Sequence, residues 1–119
     1  MNIEELREYC LSLKNATEGF PFGEDFLVFK VEGKMFACMR LDTGEPQVSL
    51  KCNPDFRDEL RDHYAAVEPA WHFNKTYWNT IFLERDMPGE EIKHWLKHSY
   101  QEVIAKLPKR IRVLYEEGE

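Results

Sequence analysis

A group of polar side chains between aromatic residues is the part of the sequence best suited to bind a ligand. The stretch from Trp71 to Trp78 contains the side chains of His72, Asn74 and Lys75. A lysine can bind a phosphate, an amide can pair with a polar edge, and an indole ring offers a surface on which a base can stack. We therefore predict that a ligand contacts His72, Asn74 and Trp78. Lys75 would contact a phosphate of the same ligand.

The same residues also allow a purely structural role. In an extended segment alternate side chains share a face, so His72 and Asn74 would point one way and Lys75 the other. One ligand could then contact all three only across a turn or bulge. Alternatively, Asn74 caps a turn and His72 satisfies buried backbone groups. The sequence leaves both alternatives open.

Basic residues are concentrated near the end of an acidic chain. The net charge is −6, which argues against a protein that binds phosphate backbones over its whole surface. Residues 106–112 nevertheless contain four basic residues and no acidic one. We predict that nucleic acid would contact a limited set of side chains, namely Lys34, Lys75, Lys106, Lys109 and Arg110. For the last three, the alternative is a solvated helix C-terminus, where the helix dipole favours cations.

Catalytic and metal-binding patterns find little support. The sequence has no glycine-rich phosphate loop, and no Ser/His/Asp or Cys/His arrangement stands out. His94 and His98 are four residues apart, so a helix would present both on one face, but no third strong ligand is evident. We therefore expect a non-enzymatic protein without a catalytic residue, a metal or another cofactor.

The cysteines and the apolar content bear on location. Cys10, Cys38 and Cys52 form no C-x-x-C pair, and scattered cysteines in apolar contexts predict buried free thiols in a reducing compartment. No apolar run approaches the roughly 20 residues that cross a bilayer, and the acidic N-terminus is unlike a signal peptide. We expect a cytoplasmic protein with no membrane partner, folded as a single domain over residues 1–119.

The strongest local signal is a β-hairpin. Residues 26–31 and 34–40 are strand-like, and the intervening Glu32-Gly33 suits a two-residue turn. A regular register would place Phe29 opposite Phe36 on one face. The other face would carry Phe26, Val28, Met35, Ala37 and Met39. Because both faces are largely apolar, we expect the second to be covered too, by another part of the chain or by a partner.

Capping residues and periodicity predict the remaining elements. Helices are expected at residues 3–14, from 53 onward, at 89–107 and briefly near 111–114. Strands are expected at 47–52 and 77–83, a shorter strand or ordered loop at 71–75, and a loop at 17–25. The order α-β-β-β-α-β-β-α predicts a two-layer α+β fold with an antiparallel sheet. We expect Trp71 and Trp78 in its core, because each buried aromatic ring removes roughly 150–250 Å² from water.

Ordered motifs along nearly the whole chain resemble the MmcQ/YjbR family. They are FPFG at 20–23, VFKV at 28–31, GKMFA at 33–37, LKCNP at 50–54, PAWH at 69–72, NK at 74–75, WNT at 78–80, SY at 99–100 and KLPK at 106–109. The resemblance implies a small cytoplasmic α+β domain, similar in fold to type III secretion chaperones and frataxin-like proteins. Members are commonly described as DNA-binding proteins on the basis of fold comparison. The resemblance therefore implies DNA as a ligand.

Residues and resemblance together favour a non-enzymatic DNA-binding module. Two alternatives remain open. A protein-interaction or chaperone-like domain would present the second apolar face of its sheet to a protein partner or to a second copy of itself. A small-ligand-binding protein would hold its ligand in a pocket near His72 and Trp78.

Overall fold

A computed structural model describes residues 1–116 of the chain. Its helices are α1 (Ile3–Ser12), α2 (Pro54–His63), α3 (Gly89–Ala105) and α4 (Lys109–Arg112), followed by a 3-10 turn (Val113–Tyr115). Its strands are β1 (Thr17–Gly19), β2 (Phe26–Val31), β3 (Lys34–Arg40), β4 (Gln47–Lys51), β5 (Val67–Pro69) and β6 (Trp78–Phe82). The final three residues of the predicted domain lie outside the described part. Within residues 1–116, no helix has the length and apolar character to span a bilayer.

The six strands form one antiparallel sheet in the order β1-β2-β3-β4-β6-β5. The predicted α+β class is therefore confirmed. Two details differ: β1 lies within the predicted loop at 17–25, and β5 precedes the predicted segment at 71–75. Both are edge strands of only three residues. Segments this short show no usable alternation, so the sequence pattern missed them.

The helices begin where capping residues predict. At α1, the Asn2 side chain accepts a hydrogen bond from the Glu5 backbone N–H (2.8 Å), and the Glu5 carboxylate accepts one from the Asn2 N–H (3.1 Å). At α2, the Asn53 side chain accepts from the Asp55 N–H (2.9 Å). Each cap satisfies backbone donors that a helix N-terminus leaves unpaired.

The β2–β3 hairpin has the predicted turn but a different register. Glu32 and Gly33 have φ angles of 51° and 75°, as a two-residue type I′ turn requires. Pairing shifts between Phe29 and Lys30, so Phe29 faces Ala37 rather than the predicted Phe36. A β-bulge, which inserts one extra residue into β3, accounts for the shift.

The bulge redistributes side chains between the two faces of the sheet. Phe36 and Ala37 both lie in the core against the helices, and so does Met39. The predicted placement of Ala37 and Met39 on the second face was therefore wrong. Cys38 takes the opposite face instead, where it lines a pocket that contains no helix residue. A strict two-residue alternation could not anticipate this change.

The main core lies between the helices and one face of the sheet. Leu6 of α1, Phe29 and Phe36 of the sheet, and Ile92 and Leu96 of α3 are fully buried there. Each contributes roughly 1.5–3 kcal/mol through burial. This core fixes α3 across the central strands, and α3 in turn positions the site described below.

The two tryptophans predicted in the core lie elsewhere. Trp71 is 65% exposed on the loop that follows β5. Trp78 is half-buried and lies outside the core cluster. Trp78 is paired with Lys51 at the start of β6, and strand alternation directs its side chain away from the helices. The prediction that these two rings lie in the core was therefore wrong, whereas Ile81, on the same strand as Trp78, is buried there.

Candidate functional site

The face of the sheet opposite the helices, called the open face from here on, carries an unusual mixture of basic and aromatic residues. Its strand side chains are those of Phe26, Val28, Lys30, Met35, Cys38, Arg40, Gln47, Ser49, Lys51, Glu68, Trp78, Thr80 and Phe82. Three of these residues are basic and only Glu68 is acidic. The Glu68 carboxylate lies 3.2 Å from the Arg85 guanidinium, which is also paired with the Glu45 carboxylate (2.7 Å) and so offsets only part of the charge of Glu68. The open face is therefore more basic than the chain as a whole.

A concave site at one end of the sheet, where the open face meets the C-terminal end of α3, is named the basic cleft. It encloses about 410 Å³ and is lined by Lys34, Met35, Lys51, Trp78, Val103, Lys106 and Leu107. The three lysines come from β3, from β4 and from the residue after α3, so three separate elements converge. Met35 and Trp78 supply an apolar wall. A site of this kind suits a ligand that combines negative charge with a flat apolar group.

The basic cleft continues into a neighbouring depression. Lys51 and Lys106 also border a space of about 510 Å³, together with Asn53, Pro54, Tyr77 and Glu102. Glu102 is the acidic member of this wall. Tyr77 is 42% exposed and adds a second aromatic ring close to the lysines.

Polar groups of α3 hold the end of β4 that carries Lys51. The buried Ser99 hydroxyl accepts a hydrogen bond from the Lys51 backbone N–H (2.9 Å) and donates one to the Phe36 carbonyl (2.6 Å). The His98 Nε2 atom accepts from the Asn53 N–H (3.1 Å). Burial lowers the pKa of His98 from 6.5, which favours the neutral ring that this bond requires.

Two arginines of α2 hold the loop at 70–77. The Arg61 guanidinium donates to the Asn79 side chain (2.8 Å) and to the Lys75 carbonyl (2.6 Å). Arg57 donates to the Thr76 carbonyl (2.9 Å). Each arginine is half-buried because it reaches from the helix to this loop. Burial lowers the pKa of Arg61 from its ordinary value.

Local contacts favour the structural role of Asn74 over its predicted role in ligand binding, and they place Lys75 against an aromatic ring. The Asn74 side chain accepts from the Thr76 N–H (2.9 Å), which is the turn-capping role. The Lys75 ammonium lies 4.9 Å from the centre of the Trp71 ring, a cation–π distance. Neither side chain lines the basic cleft.

His72 lies at the opposite end of the open face. Its Nε2 atom is 3.4 Å from Nη1 of Arg40, whose Nε donates to Asp42 (2.7 Å). A pocket of about 80 Å³ is lined by Phe26, Cys38, Arg40, Gln47, Ser49, Glu68, Trp71, His72, Phe73, Thr80 and Phe82. Trp78 and Asn74 are not among these residues. The predicted grouping of His72, Asn74 and Trp78 in one pocket was therefore wrong.

The structure brings together some of the predicted basic residues and separates others. Lys34 and Lys106 meet at the basic cleft, beside the predicted Trp78. Lys75 lies against Trp71 instead. Lys109 and Arg110 are exposed on α4 and do not line the basic cleft.

Two basic residues that line these concave regions were not predicted as site residues. Lys51 lines the basic cleft, and Arg40 lines the pocket beside His72. A signal existed for Lys51: in the predicted strand, Val48 and Leu50 face the core, so Lys51 must face the other way. Arg40 had no such signal, because its contact with His72 depends on how a distant loop folds.

The cysteines are buried free thiols, as predicted. Burial raises the pKa of Cys10 to about 12 and that of Cys38 and Cys52 to about 11. These thiols stay protonated near neutral pH and are poor nucleophiles. His98 faces Asn53, and within residues 1–116 no three His, Cys, Asp or Glu side chains converge on a point that could hold a metal.

Comparisons with known proteins agree with the fold and place the chain in a family. The sequence model of the YjbR family matches residues 11–102. The chain is 32% identical over 114 residues to the YjbR protein of Escherichia coli K12, covering 96% of this chain and 97% of that protein. It is 31% identical over 112 residues to YbdF of Escherichia coli O157:H7, covering 90% and 88% of the two chains.

Solved structures show the same architecture. The crystal structure of Deinococcus radiodurans protein DR2400 matches with a TM-score of 0.87 and 33% identity, covering 93% of this chain and 85% of that one. A Pseudomonas syringae protein at 23% identity shares the fold with a TM-score of 0.74, covering 85% of this chain and 97% of that one. The sequence matches and the shared architecture confirm the resemblance, and the chain belongs to the MmcQ/YjbR family.

Proposed function

We propose that this chain is a non-enzymatic DNA-binding module that holds its ligand in the basic cleft. The observation that carries the proposal is the convergence of Lys34, Lys51 and Lys106 around Trp78, in a chain whose net charge is −6. Lysines held by three different elements can neutralise neighbouring phosphates, and an indole ring between them can stack on a base. We further propose that it acts in the cytoplasm, which the three unpaired cysteines support.

The expected affinity is modest and strongly dependent on salt. Three phosphate contacts would give log K a slope of about −2 against log salt for a single strand and about −3 for a duplex. Fluorescence anisotropy with labelled DNA, measured from 20 to 200 mM salt, reports this slope directly.

A matched pair of variants tests the assignment to the cleft. Lys34→Gln/Lys106→Gln removes two exposed charges of the basic cleft, and Lys93→Gln/Lys97→Gln removes two charges from α3 that do not line it. We expect the first variant to reduce the salt slope by about 1.4 for a single strand and the second to leave it unchanged. Equal losses in both variants, or no binding by the unmodified chain at low salt, would refute the proposal.

A protein-interaction module is the second candidate. The observation that favours it is the 65% exposure of Trp71, because a large exposed ring at a sheet face is common in protein interfaces. The partner would be another protein or a second copy of the chain. Sedimentation velocity over a hundredfold concentration range tests self-association. Dimer formation that Trp71→Ala abolishes would support this candidate, and a monomer throughout would exclude the homodimer.

A further inference from the structure

We propose that the ligand of the basic cleft is a single-stranded nucleic acid that crosses the open face to a second contact at Arg40 and His72. This inference rests on the proposed nucleic-acid binding and adds the class of ligand and its path. It makes one continuous site of two concave regions that share a face of the sheet.

The spacing of the two regions suits an extended strand. Lys51 is the last residue of β4 and Gln47 the first, and Gln47 is paired with Arg40 on β3. Four residues at about 3.3 Å each separate the two ends by about 13 Å. A ligand must therefore be elongated to contact both, as a chain of several nucleotides is.

The floor between the two ends is polar and lies beneath the loop at 70–77, because Cys38 and Thr80 are only 4% and 6% exposed. Ser49 and Thr80 lie opposite each other on β4 and β6, with their hydroxyl oxygens 2.9 Å apart. Cys38 is beside Ser49 on β3. Trp71, His72 and Phe73 of that loop line one pocket with these side chains, so a bound strand would cross over the loop rather than lie directly on the sheet. Larger aromatic side chains, those of Phe26, Trp71, Phe73 and Phe82, stand around the His72 pocket.

Aromatic rings occur at both ends of this path. Phe73 stacks on Trp78, with ring centroids 5.2 Å apart and planes inclined by 28°. Trp71, 65% exposed, lines the pocket beside His72. Unpaired bases can stack on such rings, whereas the bases of a duplex already stack on each other. This difference favours a single strand.

The charge pattern also disfavours a duplex. A duplex presents a charge about every 1.7 Å and needs a broad basic footprint, whereas the basic cleft and the His72 pocket together contain four basic residues, and Lys109 and Arg110 lie apart from them on α4. Readers of the major groove insert a helix or a β-ribbon. Neither the basic cleft nor the His72 pocket has a protruding helix on the open face: α3 contributes only residues near its C-terminal end to the cleft.

The far contact would be made by a guanidinium that is already oriented. Asp42 accepts from Arg40 Nε, and Nη1 points toward His72. A phosphate bound here would contact both Arg40 and His72, and a base could stack on Trp71. The chemistry is shared by single-stranded DNA and single-stranded RNA, so the test includes both.

The experiment measures anisotropy of labelled dT12, rU12 and a 12-base-pair duplex at low salt, with labelled dT4 as a short single strand for comparison. It uses the unmodified chain, Arg40→Gln/His72→Gln, Trp71→Ala and the cleft variant Lys34→Gln/Lys106→Gln. We expect the duplex to bind at least about tenfold more weakly than one of the single strands. Trp71→Ala should weaken single-strand binding about tenfold through lost stacking. Arg40→Gln/His72→Gln should weaken dT12 more than the shorter dT4, which can occupy the basic cleft alone.

The outcomes separate this inference from the proposed function. Loss of affinity in the cleft variant alone, with no effect at Arg40, His72 or Trp71, would overturn the extended path and leave the cleft in place. Duplex binding as tight as single-strand binding would overturn the choice of ligand. Absence of binding to all three nucleic acids would refute the proposed function itself. Thermal melts of each variant establish that the fold is retained.

Discussion

The hydroxyl group of Ser99 offers a sharp test of how α3 supports the basic cleft. It is fully buried, and it accepts from the Lys51 N–H (2.9 Å) while donating to the Phe36 carbonyl (2.6 Å). Ser99→Ala leaves one backbone donor and one backbone acceptor without this partner. Each unsatisfied buried group costs about 1–3 kcal/mol, so we expect a loss of about 3 kcal/mol in the free energy of unfolding. The melting temperature should fall by about 10 °C.

Urea denaturation followed by circular dichroism measures this loss. Ser12→Ala is a matched control in another helix, because the Ser12 hydroxyl donates only to the Tyr9 carbonyl at the exposed surface (2.6 Å). We expect it to change stability by less than about 0.5 kcal/mol. If Ser99→Ala were as mild as the control, the hydroxyl bridge would contribute little and the reasoning would be wrong.

Three further predictions concern other supports of the fold. The pKa of His98 is lower in the folded chain than in the unfolded chain, so the unfolded chain binds a proton on this ring more tightly. The free energy of unfolding should therefore decline as the pH falls below about 6.5. His98→Gln should flatten this part of a curve of unfolding free energy against pH. Arg61→Ala removes three hydrogen bonds, to Asn79, Lys75 and Trp78. Amide hydrogen exchange at residues 74–78 should therefore accelerate by about tenfold or more. Unchanged exchange rates there would contradict the role of Arg61 in holding the loop. Gly33→Ala should lower the free energy of unfolding by about 1–2 kcal/mol in urea denaturation, because Gly33 has a φ of +75°, although an added methyl group would meet no other atom. Gly44→Ala is the control: Gly44 has equally open surroundings and no positive φ, so this change should leave the stability unaltered.

Local sequence signals sufficed for the elements whose causes are local. Asn2 and Asn53 identified two helix starts through their capping geometry, and Glu32-Gly33 identified the hairpin turn. The helix predicted at 89–107 followed from helical spacing, and α3 occupies Gly89–Ala105. These features depend on residues within a few positions of each other, so the pattern contains the necessary information.

The candidate site was only partly predictable because its geometry depends on distant contacts. The bulge at Phe36 moved three side chains between faces, and no local pattern indicated it. The path of the loop at 70–77 is set by Arg57 and Arg61 of α2, which looked like ordinary surface residues. The core position predicted for Trp78 failed because ring size suggests burial but strand alternation decides the face.

The shortness of the outer strands limits how this protein can meet others. β1 and β5 are each three residues long, and β5 ends at Pro69, which has no N–H to offer. Neither edge strand is long enough to pair with a strand added from another chain, so amyloid-like growth and β-augmentation are disfavoured. Other molecules are therefore expected to bind to the face of the sheet, where side chains rather than exposed backbone groups determine which partner binds.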